Sequence, residues 1–164
     1  MPKWVRKAEQ LGISRQNFGE WALPSVIEES QRARDDLQFV MDHTAFEGHL
    51  TTDVDGLLLA ERFCRDRTAT TERANQFPDD IVDRLLALFL GQVFVETGRG
   101  RWVNYPGRYH VFAPTVIELV DAPKNYVQPF LYCAQFRTKT GLHGAANSNS
   151  LKLFYDNPIK HATK

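Results

Sequence analysis

The stretch Leu90-Gly91-Gln92-Val93-Phe94-Val95-Glu96-Thr97-Gly98-Arg99-Gly100-Arg101-Trp102-Val103 joins an apolar run to closely spaced glycines and an arginine beside a tryptophan. A dinucleotide-binding loop would need G-x-G-x-x-G directly after a strand and before a helix, so that a pyrophosphate meets the positive end of the helix. Here Gly98 and Gly100 have no third glycine in register, and Trp102-Val103 fills that place. An apolar helical run precedes the glycines and a strand-like segment follows, so a phosphate would face the negative end of the helix. No Gly-Lys-Ser/Thr follows to make a phosphate loop of the other common kind. The reading that remains is a helix C-cap glycine followed by a turn into a strand.

Other stretches carry residue types that bind metals or act as nucleophiles. In "TTDVDGLLLAER", placing Asp53, Asp55 and Gly56 at calcium-loop positions puts Thr51 first and Arg62 last, where carboxylates are required; Glu61 is one residue off. Helix capping accounts for these acids better. "DHTAFEGHLTTD" crowds Asp42, His43, Glu47, His49 and Asp53 together, but without a regular ligand spacing. Cys133 would need a base such as His110 or His143 to act as a nucleophile, and no local signature surrounds it. With Cys64 it reads as one of two small buried hydrophobes. No serine sits in a G-x-S-x-G elbow. No catalytic residue, metal or cofactor is therefore assigned.

The elements that would position such residues are legible from periodicity. Pro24 suits a helix start, and Val26, Ile27, Ser30, Ala33, Leu37, Val40, Met41 and Thr44 recur at three and four, which predicts an amphipathic helix from Pro24 to Phe46. A short helix or turn holding Phe18 and Trp21 is expected before it. Thr52 or Asp53 caps a second helix bearing Val54, Leu57, Leu58, Leu59, Phe63 and Cys64, which Phe77-Pro78 ends. Asp79 and Asp80 open a third helix so apolar, from Ile81 to Val95, that it belongs at the centre of the fold. After Gly98 the pattern becomes aromatic and β-branched. Arg101–Tyr105 and Tyr109–Phe112 flank a Pro106-Gly107 turn as a hairpin, Thr115–Val120 forms a third strand, and Asp121–Lys124 forms a turn. Pro129 can start a helix with Phe130 and Cys133 on one side, Gly141–Ser150 is a loop, and Leu151–Tyr155 reads as a last strand. The fold class predicted is α+β, a single domain over 1–164: a helical part (1–97), a sheet-rich part (98–156) and a polar tail (157–164).

A chain of 164 residues can bury its own core without disulfides or metals. Lys+Arg and Asp+Glu both number 20, so the totals lack the basic excess of a typical nucleic-acid binder. No run is long and apolar enough for a membrane span, and the start "MPKWVRKAEQLG" has no secretory apolar core, so a cytoplasmic protein is expected. With catalysis unassigned, a surface stands out. Alternation sends Trp102 and Asn104 to one face and Arg101, Val103 and Tyr105 to the other. Arg99, Arg101, Trp102, Tyr105, Arg108 and His110 form the candidate binding set, rich in the types that dominate protein–protein hot spots. The opposing reading places Trp102 in the core and leaves the arginines to keep a sheet edge soluble.

Leu90-Gly91-Gln92-Val93-Phe94-Val95, Gly100-Arg101-Trp102-Val103, a hairpin and then Pro129-Phe130 together resemble the uncharacterised bacterial DUF3806-like domains, over about 79–136. "GRGRW" stands where a Gly-Gly-x-Trp would be usual, and the basic residues after the Pro-Phe helix start are represented by Arg137 and Lys139. The resemblance implies a small bacterial α+β protein without assigned catalytic residues. By analogy with similar small domains, it also implies an immunity-type protein that binds and neutralises a toxin. The expected partner is thus another protein, with no nucleic acid and no membrane. The alternative is a small-molecule binder or hydrolase-like enzyme with a pocket between the third helix and the sheet. A homodimer made by sheet-edge pairing is the remaining reading.

Overall fold

A computed structural model describes residues 22–44, 46–69, 79–106, 115–130, 132–133 and 151–162. The expected Phe18/Trp21 element, the Phe77-Pro78 break and the Gly141–Ser150 loop lie outside these residues. The fold is α+β, with N-terminal helices followed by an antiparallel sheet.

Helix α1 spans Leu23–Asp42 and buries Val26, Ser30, Ala33, Leu37, Val40 and Met41 of the stripe expected from its spacing, while Ile27, expected on that stripe, is 39% exposed. It ends before the expected Phe46. Thr44 Oγ1 donates to the Met41 carbonyl and accepts the Phe46 N–H, so a hydroxyl takes over backbone groups that a further turn would have used. The chain then folds back along the helix it has just left. Arg34 Nε donates to the Leu50 carbonyl at 2.8 Å, while Gln38 donates to the Gly48 carbonyl and accepts the Leu50 N–H. Those bonds set the Leu50 side chain, which is fully buried.

Helix α2 spans Val54–Ala69. Asp53 is its N-cap: Oδ1 accepts the Gly56 N–H at 2.9 Å and the Thr51 hydroxyl at 2.6 Å. The Thr51 hydroxyl first, and the Gly56 N–H second, hold the Asp53 carboxyl below its ordinary range. Helix α3, Asp79–Glu96, is the centre of the molecule, as its composition demands. Val82, Leu86, Ala87, Leu88, Phe89, Leu90, Val93 and Phe94 are buried all round it. Helix α1 packs along its length, while α2 and the sheet cover other sides.

The exit from α3 is a Schellman motif. The Arg99 N–H reaches the Phe94 carbonyl and the Gly98 N–H reaches Val95 O, with Gly98 at φ +73°. Glycine adopts this left-handed backbone without the penalty a Cβ would impose. Strand β1, Gly100–Asn104, starts immediately after it. It pairs antiparallel with β2, Thr115–Leu119, which pairs antiparallel with the short β3, Tyr126–Val127.

The observed partner of β1 is the segment expected to be the third strand, with Arg101 opposite Glu118 and Trp102 opposite Ile117. Tyr109–Phe112 lie outside the described residues. The turn at Asp121–Lys124 is present as expected, with Asn125 N–H bonded to the Ala122 carbonyl. A helical turn opens at Pro129. Gln128 caps it by accepting the Phe130 N–H, and its amide donates to Thr115 O, tying that turn to β2.

Leu151–Tyr155 is not a strand. Leu151–Asp156 forms helix α4, followed by a 3-10 turn at Pro158–His161. As a strand, Leu151, Leu153 and Tyr155 would share a face, but Leu153 is exposed while Leu151, Phe154 and Tyr155 are buried. That is helical spacing. Lys152 and Asp156 add an exposed i,i+4 pair, and Glu61 of α2 accepts the buried Leu151 N–H at the helix start. Phe154 stacks on Tyr132 with ring centroids 4.1 Å apart and meets Phe94 edge-on.

Candidate binding surface on the sheet

The candidate surface is set by two constraints: where α3 ends, and which way β1 alternates. The Schellman exit delivers Arg99 at the junction. Its guanidinium lies over the Tyr155 ring, 4.6 Å from the centroid, and Nη1 donates to the Tyr155 carbonyl at 2.7 Å. The Tyr155 hydroxyl donates to Thr97 Oγ1 at 2.8 Å. Arg99 therefore clasps α4 to the end of α3 through Nη1 and through its stacking on Tyr155.

Trp102 points inward. It is 8% exposed, and its ring lies against α3 at Gly91. Truncating a buried tryptophan costs about 3–5 kcal/mol, whereas a good hot-spot contact returns about 2 kcal/mol or more. Swinging Trp102 out to meet a partner would thus lose as much as it gained. Trp102 belongs to the core half of the two readings and is removed from the exposed patch.

Arg101 points outward, and its side chain is 70% exposed. Its Nε donates to Glu118 Oε1 at 2.8 Å, and Nη2 donates to the same oxygen. The other oxygen, Oε2, accepts the Lys124 N–H. The Arg101 guanidinium first, and the Lys124 N–H next, hold the Glu118 carboxyl below its usual value. An exposed ion pair of this sort contributes only ~0.2–1 kcal/mol to stability. Its larger effect is to fix the direction of Arg101.

Tyr105 and Tyr126 meet edge to face beside this pair, with centroids 5.4 Å apart. Both are largely buried, so each ring supports the face more than it displays itself. Burial, and then the neighbouring Tyr126, pushes the Tyr105 hydroxyl above its ordinary value. Arg108 and His110 lie outside the described residues. Of the expected set, the structure brings Arg101 and Tyr105 to one face and sends Trp102 to the opposite one. It commits Arg99 to α4.

Sequence reasoning missed Glu118 and Tyr126. The signal was available: opposite charges favour facing positions on antiparallel strands, and Arg101 facing Glu118 is such a pair once Thr115–Leu119 is taken as the partner of β1. The expected hairpin to Tyr109–Phe112 left that pairing unconsidered.

No family model, curated protein or solved structure matches this chain.

The other chemical candidates resolve into local structural tasks. His43 Nδ1 donates to the Phe39 carbonyl, and His49 Nε2 accepts from Arg34 Nη2 at 2.7 Å. Asp53 is a helix cap, and Asp55 lies exposed in the first turn of α2. Among the described residues, no group of three or more His, Cys, Asp or Glu is placed to hold a metal ion. Cys64 and Cys133 are not joined in a disulfide, and both are buried. Burial first, then the neighbouring Asp83 and Cys64, pushes the Cys133 thiol well above its usual value. A nucleophile needs the thiolate, which this setting disfavours. Among the described residues, no helix is long and apolar enough to cross a membrane.

Proposed function

We propose that this protein is a non-catalytic binding protein that engages another protein through the outer face of its sheet, centred on Arg101. The observation that carries the reading is the pairing of high exposure with fixed direction: Arg101 is 70% exposed yet anchored through two donors on Glu118. Fixing a long side chain on binding costs about 0.5–1.5 kcal/mol, and an arginine held in advance avoids much of that. The remaining guanidinium N–H groups are left for a partner's acceptors, and arginine is among the residues enriched at hot spots.

The partner class favoured is a cognate toxin, which makes this an immunity-type bacterial protein of the cytoplasm. That part rests on the resemblance to DUF3806-like domains and on analogy. Close packing behind the sheet supports a binding surface over a ligand pocket, since a Cβ at Gly91 would already lie 2.0 Å from the Trp102 ring.

The test is affinity capture of the tagged protein from its native host, followed by the same capture with Arg101→Ala. A stoichiometric protein partner, lost or weakened at least tenfold with Arg101→Ala, supports the reading. Partner recovery unchanged by Arg101→Ala would remove this face from consideration.

A further inference from the structure

We draw no further inference here: the strongest candidate, the outer face of helix α1 where Phe39 stands 57% exposed among Asp35, Asp36 and Asp42, is an exposed helix face, and nothing in the structure shows what covers it.

Discussion

Gly91 of the central helix and Trp102 of the first strand are in direct contact: a Cβ on residue 91 would lie 2.0 Å from Trp102 Cζ2 and 2.3 Å from Cη2. The missing side chain is what lets a strand carry a tryptophan flush against the helix. The residue spacing Gly91 to Trp102 is therefore a packing relation, joined by the Schellman turn at Gly98.

Replacing Gly91 with alanine forces the indole or the strand to move. Overpacking of this kind costs about 1–3 kcal/mol. Urea unfolding of Gly91→Ala should show a lower midpoint with an unchanged slope, accompanied by a changed tryptophan emission. An unaltered midpoint would mean that the ring does not rest where the structure puts it.

Glu61 joins the second helix to α4 by accepting the buried Leu151 N–H at 2.8 Å, with Arg65 3.5 Å from its other oxygen. Glu61→Ala leaves that amide without its partner, which costs about 1–3 kcal/mol. Hydrogen exchange should accelerate at 151–156 before it does in α1. Uniform loss of protection across the molecule would argue against a local cap.

The Glu118 carboxyl is held below the ordinary glutamate value of 4.5 by Arg101 and the Lys124 N–H. A group whose folded pKa is depressed contributes stability in full above its unfolded pKa, and that contribution fades as pH falls through the folded one. Lowering the pH from about 4.5 should thus release the Arg101 guanidinium and loosen the turn at Asp121–Lys124. Glu118→Gln should flatten that part of the acid dependence, read from the side-chain Nε–H resonance of Arg101 during titration. A pH profile identical to the parent's would contradict the pairing.

Cys133 is fully buried and its thiol is pushed upward by burial. In the folded protein it should resist iodoacetamide at pH 8 and label rapidly once denaturant is added, with both cysteines then recovered as modified. Prompt labelling of Cys133 in the native state would reopen the nucleophile reading set aside above. In the same samples, the solution mass decides whether two copies associate by sheet-edge pairing.

Much of the helical part was legible because its signals are local. The stripe from Val26 to Met41, a cap at Thr52 or Asp53 and the apolar run of α3 each follow from spacing or from one side chain reaching its own backbone, the structure placing the cap on Asp53. Gly98 was legible for the same reason: a helix followed by a glycine needs no distant partner to be read as ending there. The amino-acid sequence by itself determined these elements, the α+β class and the alternation that separates Trp102 from Arg101.

Tertiary structure decided what depends on pairing. Strand partners are not encoded by proximity in the chain, so the pairing of β1 with Thr115–Leu119 could not be read from either segment alone. The spacing of Leu151, Phe154 and Tyr155 fits a helix, yet their aromatic and apolar character also suits a strand. Contacts with Glu61, Tyr132 and Phe94 select the helix. The candidate site follows the same rule. Arg101 became a directed, exposed group only because Glu118, 17 residues away, faces it across the sheet, and no local pattern in either segment contains that geometry.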